Sequence, residues 1–129
     1  MRSLFLRIPI FAVLLLASTA GYAQKPRATI TFDNRSGDPA LVKVIGPSRH
    51  LVEVPNRRKR TVRVVGGQYH IVTRYGANPD RYRYSIGDRF KVTQTATRYS
   101  RITITLHKVV GGNYPTHPIS AKDFEQAKH

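Results

Sequence analysis

Beyond residue 27 the apolar side chains recur at every second position over short spans, the period of a strand with one buried and one solvated face. "ATITFDN" (28–34) sets Ile30 and Phe32 on one side, and the turn-forming "NRSGDP" follows it. "ALVKVIG" (40–46) is the next strand, closed by "GPSR". "HLVEV" (50–54) sets Val52 and Val54 against Glu53, and "TVRVV" (61–65) sets Val62 and Val64 against Arg63. "QYHIVTRY" (68–75) alternates Tyr69, Ile71 and Thr73 with His70, Val72 and Arg74. "RYRYS" (81–85), "RFKVTQT" (89–95) and "SRITITLHKVV" (100–110) complete the set. No helical period separates these segments. The pattern predicts an all-β fold, a single antiparallel β-sandwich of about seven to eight short strands.

Two hairpins follow from turn chemistry. Gly66-Gly67 is a two-residue turn signal, because both central positions of a type I′ turn need positive φ. Pairing Val65 with Gln68 across it sets Val64 opposite Tyr69 and Val62 opposite Ile71, all on one face. Upstream, pairing Pro55 with Thr61 closes a loop over 56–60 and brings Val54 and Val62 to a common face. Pro55 has no N–H to give a ladder and suits a strand end. The basic run Arg57-Arg58-Lys59-Arg60 is then the tip of a hairpin. Past residue 110 the chain changes character. "VVGGNYPTHPIS" is a Gly/Pro-rich exit, and "SAKDFEQAK" (120–128) predicts a short C-terminal helix anchored by Phe124. Ser120 is its N-cap, with Asp123 three residues on, close to a capping box. No internal repeat or long low-complexity segment stands out.

The N-terminal segment breaks the alternation. "MRSLFLRIPIFAVLLLASTAGYAQ" has a positive start, an apolar stretch over Ile8–Ala17 and a small-x-small site at Gly21–Ala23. That is the layout of a secretory signal peptide, and it falls short of the roughly 20 apolar residues of a membrane span. An uncleaved N-terminal anchor is the alternative. The expected organisation is a signal peptide over 1–23, a β-sandwich over 24–110 and a tail with a short helix over 111–129. The expected location is periplasmic or secreted. The chain carries 22 Lys and Arg against seven Asp and Glu. Losing Arg2 and Arg7 with the signal leaves 20 basic residues against those seven, a balance of +13. Such a field attracts anionic partners without specifying a fold. There are no cysteines, so the core must hold without disulfides, and thiol catalysis and thiolate metal sites are excluded.

Candidate chemistry is sparse. His50, His70, His107, His117 and His129 are scattered without zinc-type spacing, and His70 and His107 are the pair that facing strands could bring together. Asp33, Asp38, Asp80 and Asp88 sit in or beside turns, where Asp serves local backbone hydrogen bonds. Ser48, Ser85, Ser100 and Ser120 lie in no nucleophile-elbow context. These residues assign no catalytic group, metal or cofactor. "RRKR" resembles a nucleic-acid patch, but export argues against that partner. In "DRYRYS" strand alternation sends arginines and tyrosines to opposite faces. Pairing Tyr75 with Tyr82 would gather Tyr75, Tyr82 and Tyr84 on one packed face. The anion-binding candidates are therefore Arg57, Arg58, Lys59, Arg60 and Arg63, extended by Arg74 and Arg83 if their strands share the sheet. The partners that fit are an anionic envelope polymer, lipid head groups or an acidic protein. The same charges also protect strand edges from aggregation. Tyr114 and Phe124 are candidates for docking a partner protein through the tail, and a strand edge is the other docking route.

The cadence of "VEVPNRRKRTVRVVGGQYHIVTRYG" (52–76) resembles the small prealbumin-like and carboxypeptidase-regulatory-type β-sandwich modules and the related immunoglobulin-like accessory domains of exported proteins. Its elements are a strand, a Pro-Asn turn, a V-x-V strand, a tight glycine turn and G-x-Y-x-I. Gly67, Tyr69 and Ile71 are the most specific points. The resemblance covers about 25 residues and implies a two-sheet fold in which these residues determine structure. Such modules assist folding, spacing or docking beside enzymes, receptors or adhesins, whereas here the module is expected to stand alone. No functional residue is implied.

Overall fold

Alternating burial is written directly into the strands of the computed structural model, which describes residues 25–107 and 114–127. The expected signal peptide, and residues 108–110 of the expected last strand, lie outside the described residues. Nine strands form two sheets among those described: β1 (Ala28–Asn34), β2 (Ala40–Ile45), β3 (His50–Val54), β4 (Lys59–Val64), β5 (Gly67–Tyr75), β6 (Arg83–Gly87), β7 (Phe90–Val92), β8 (Arg101–Leu106) and β9 (Thr116–Ile119). A 3-10 turn at Pro79–Arg81 precedes β6, and a short helix, α1 (Ala121–Gln126), follows β9. No helix among them is long and apolar enough to cross a membrane.

The smaller sheet has the order β4-β1-β8 and the larger the order β3-β2-β5-β6-β9, with β7 extending β5. The larger sheet is antiparallel, but β1 and β8 run parallel, so the sandwich is mixed. Ala28, Ile30 and Phe32 of β1, Val64 of β4 and Ile104 and Leu106 of β8 point inward from the smaller sheet. Val42, Val44, Val52, Val54, Tyr69, Ile71 and Tyr75 meet them from the larger one in a single core. Burying an aliphatic or aromatic side chain of this size contributes about 1.5–3 kcal/mol, which is how a cysteine-free domain of this length holds together.

Both expected hairpins are corrected by the strand pairing. β4 pairs with β1, setting Val62 beside Ile30 and Val64 beside Ala28, while β5 pairs with β2. The chain therefore crosses from sheet to sheet at 55–58 and again at 65–66. Val64, Tyr69 and Ile71 do share one core, but they face each other across it instead of lying side by side. Alternation marks which side chains are inward, and a hairpin and a crossover both satisfy it. The glycine pair differs accordingly: of the two, only Gly67 has positive φ, at 149°. A side chain there would also meet Pro47 Cγ at 2.6 Å. Tyr69 ties this crossover, donating its hydroxyl to Val65 O at 2.7 Å and accepting from Ser48 N at 3.1 Å. The tyrosine register is corrected as well. Tyr75 lies opposite Arg83 and Arg74 opposite Tyr84, so Tyr75 faces the core while Tyr84 faces out.

The stretch read as a tail joins the fold. β9 adds an edge strand to β6, and its Pro118 is tolerated because an edge position needs no second ladder bond. Ser120 caps α1 as expected, accepting from Asp123 N at 3.1 Å. α1 lies on the outer face of the larger sheet, with Phe124 buried to 1% exposure. Lys43, outward on β2 yet only 7% exposed, donates to Phe124 O at 2.8 Å and Ala127 O at 3.2 Å. This cation adds a second bond to Phe124 O, which already accepts from Ala127 N at 3.2 Å, and supplies a donor to Ala127 O beyond the last turn.

Candidate anion-binding face

The smaller sheet turns its other side to solvent, and the strand register fixes what stands there. Across β4, β1 and β8 one row reads Arg63, Thr29, Arg101; the next reads Thr61, Thr31, Thr103; the third reads Lys59, Asp33, Thr105. Arg63 and Arg101 flank Thr29 two strand spacings apart, about 10 Å between their Cα atoms. Thr31 and Thr61 share a 2.8 Å hydroxyl–hydroxyl hydrogen bond. The one carboxylate of these rows, Asp33, is paired with Arg35 at 3.0 Å.

One strand step beyond the first row lies Tyr99, 43% exposed. The Arg27 guanidinium carbon stands 5.8 Å from its ring centre and that of Arg101 5.7 Å. Arg101 Nη2 lies 3.5 Å from the phenol oxygen. Arg27 is held in place by donation to Thr95 O at 2.7 Å and Ala96 O at 3.3 Å. Its backbone N–H donates to Gln94 Oε1 at 3.0 Å, and Gln94 in turn donates to Lys25 O at 2.6 Å. The hydrogen bond from Arg101, then its charge, with Arg27 and Arg63 adding to it, lowers the Tyr99 pKa below the ordinary tyrosine value. The ion pairs seen among the described residues, Arg35–Asp33, Arg83–Asp38 and His117–Asp88, leave Arg27, Arg63 and Arg101 without a carboxylate.

The basic loop adjoins the far end of the same sheet. Asn34, fully buried at the end of β1, holds its base: Nδ2 donates to Asp38 O and Val54 O, both at 2.8 Å, and Oδ1 accepts from Ser36 N and Oγ. The Asn34 backbone bonds Arg57 N and Arg58 O. Arg57 has φ of 63°, a left-handed conformation unusual for a residue with a side chain. Lys59 and Arg60 are already strand, not loop. Lys59 points outward beside Asp33, whereas Arg60 falls on the inward side opposite Phe32 at the exposed rim. The four consecutive cations are thus split among a turn, the outer face and a rim. Lys59 lies about 13 Å along β4 from Arg63.

Arg74 and Arg83 are not brought to this face. They belong to the larger sheet, where Arg74 covers the Tyr82 ring at 4.2 Å and Arg83 pairs with Asp38 at 3.0 Å. Tyr114 and Phe124 are packed within the fold. The Tyr114 hydroxyl accepts from Ile71 N at 3.4 Å and donates to Asp88 O, filling the gap where β6 ends and β7 has not begun. Its ring passes so close to Gly87 that a Cβ there would overlap it. His70 and His107 are also separated: His70 faces the α1 side of the larger sheet, and His107 follows β8. Among the described residues no group of three or more His, Asp or Glu converges as a metal site.

Arg27, Tyr99 and Arg101 do not stand out as site residues along the chain, although one signal marks them. "RATITF" (27–32) and "RITITL" (101–106) share one pattern, and they form the two parallel strands, offset by two residues. That offset brings Arg27 level with Tyr99. No protein-family model matches the chain, and no curated protein or solved structure matches it either.

Proposed function

We propose that this chain is a non-catalytic binding module of the cell envelope or exterior, and that it takes an anionic ligand on the solvent face of the smaller sheet. The observation that carries this reading is the pair Arg63 and Arg101, set by the strand register, with Arg27 held beside Tyr99; none of these three cations has a carboxylate partner among the described residues. Arginine offers planar, bidentate donation to carboxylate and phosphate, and it keeps its charge at any physiological pH. Lys59, Arg57 and Arg58 extend the field from the other end of the sheet. Export, inferred from the N-terminal segment, places the ligand among envelope polymers and acidic surfaces.

The test is titration with inorganic polyphosphate across a salt series, with neutral dextran as the comparison. The reading expects binding to polyphosphate that weakens steeply with salt, because neutralised phosphates release counterions. It also expects the combined variant Arg27→Ala, Arg63→Ala, Arg101→Ala to lose most of that binding. Binding that salt does not move, or that the triple variant retains, contradicts it.

A second reading rests on Leu51, 52% exposed on the edge strand β3. An edge with an outward apolar side chain can accept a strand from a partner protein. Leu51→Lys would abolish such pairing and leave polyphosphate binding unchanged.

A further inference from the structure

We infer that the ligand of this face is an acidic polysaccharide, a glycan chain bearing carboxylate or phosphate groups. The inference rests on the anion-binding reading and narrows it. Three features of the same surface separate this class from other polyanions. First, hydroxyls stand between the cations: Thr29, Thr31, Thr61, Thr103 and Thr105 occupy the outward positions of the rows that Arg63, Arg101 and Lys59 bound. A hydroxyl donates one hydrogen bond and accepts two, so Thr31 and Thr61 keep capacity beyond the bond they share. Hydroxyl groups match the hydroxyls of a sugar chain, and a simple charge field does not need them.

Second, one aromatic ring, Tyr99, stands exposed at the cationic end, its surroundings fixed by Arg27 and Arg101. A ring with an apolar body and a polar tip suits the C–H face of a sugar lying beside its own anionic group. Single-stranded nucleic acid calls instead for several aromatics in succession on which bases stack, and Tyr99 is the one aromatic on these rows. Third, the rows expose no aliphatic side chain. A surface that seats on a lipid bilayer gains from apolar side chains entering the acyl boundary, whereas here the aliphatic Ile30, Ile102 and Ile104 all point to the interior side. Charge complementarity therefore meets a polyol chemistry on one sheet face.

The experiment compares four probes on the full chain: polygalacturonate, its methyl-esterified form, inorganic polyphosphate and phosphatidylglycerol vesicles. The variants are Tyr99→Ala and Thr31→Val, with the thermal midpoint measured to confirm folding. Polygalacturonate is expected to bind at least tenfold more tightly than its neutral ester. Tyr99→Ala should weaken polygalacturonate binding about fivefold, and by a clearly larger factor than it weakens polyphosphate binding. Thr31→Val should act in the same direction with a smaller effect. If polyphosphate and polygalacturonate bind alike and Tyr99→Ala weakens neither selectively, the glycan inference is overturned and the broader anion reading stands. Vesicles binding most tightly would assign the face to a membrane surface and overturn it too. If no probe binds in a salt-sensitive way, both readings fall.

Discussion

The two outer faces of this sandwich are built from the same kind of strand and end up with opposite surroundings. On the larger sheet the outward positions include Lys43, Val72, Ile86, Tyr84 and Ile119, and α1 covers the middle of them. Two of its cations are packed against rings: Lys43 lies 4.4 Å from the Phe124 ring centre and Arg74 lies over Tyr82, while Tyr84 meets Phe124 at 5.2 Å. On the smaller sheet the outward positions are threonine, arginine, lysine and one paired aspartate. A face with apolar residues between its charges needs a cover. A face of hydroxyls and guanidiniums is stable in water and remains available to a ligand. Lys43 and Arg74 are therefore packed over rings on one side of the molecule, while Arg27, Arg63 and Arg101 on the other have no carboxylate partner among the described residues, a distinction the net charge alone conceals.

The largest effect that can break this contrast is on the covered side. Phe124→Ala should cost about 3 kcal/mol in chemical denaturation, through lost burial and the cavity beneath α1. Arg63→Ala, its counterpart on the open side, should stay within about 0.5 kcal/mol. Equal costs at both positions would mean that α1 does not protect its face. Next in size is Asn34→Ala, expected to destabilise by about 2–3 kcal/mol, because Val54 O and the Ser36 groups lose a buried partner. This change should also loosen the loop that carries Arg57 and Arg58.

Stability against pH sharpens the contrast further, because the shifted groups of the larger sheet titrate in opposite senses. Burial first, then Arg89, pushes the His70 pKa down; Arg49 and Asp123 line the same recess. A lowered histidine pKa favours the neutral ring, so its contribution is intact above the ordinary value of about 6.5 and is lost as pH falls through the lowered one. Burial pushes the Tyr114 phenol up, against the opposing hydrogen bond from the Ile71 backbone and with the charge of Asp88. Its contribution is intact below the ordinary tyrosine value of about 10 and declines as pH rises beyond that. Denaturation midpoints of His70→Gln and Tyr114→Phe should flatten the acid and alkaline limbs respectively. On the open face the sense reverses for Tyr99, which should ionise earlier than Tyr75 and Tyr114 in an ultraviolet titration and later again in Arg101→Ala. The smallest effect is expected for joint neutralisation of Arg57, Arg58, Lys59 and Arg60, within about 0.5 kcal/mol in total, since all four are exposed.

What the sequence made legible follows from what alternation encodes. Period two names the strands and their inward residues, and Ile30, Phe32, Val54, Val64, Tyr69 and Ile71 all lie in the core as it predicts. Pairing is a separate question, because β4 satisfies its inward pattern equally well beside β1 or beside β5. The Gly66-Gly67 signal fits a hairpin turn, yet the chain changes sheets there. β9 was hidden by Pro115 and Pro118, which break strand patterning yet are tolerated at an edge. The candidate site was only half legible. Arg63 and Lys59 were visible as outward residues of a basic strand. Arg27, Tyr99 and Arg101 join them only through the parallel β1–β8 pairing, a contact between segments some seventy residues apart that local pattern does not reveal. Arg74 and Arg83 look equivalent to Arg63 along the chain, and the sandwich puts them on the other sheet.

The most direct test of the account is the salt dependence of polyphosphate binding for two triple variants matched in charge. One neutralises Arg27, Arg63 and Arg101 on the open face; the other neutralises Arg74, Arg81 and Lys122 on the side of the covered sheet. The account predicts that the first lowers the slope of log K against log salt by roughly one for each phosphate contact removed, while the second leaves slope and affinity close to those of the parent chain. Equal losses from both variants would show that net charge alone governs binding, and would contradict the assignment of the ligand to the open face.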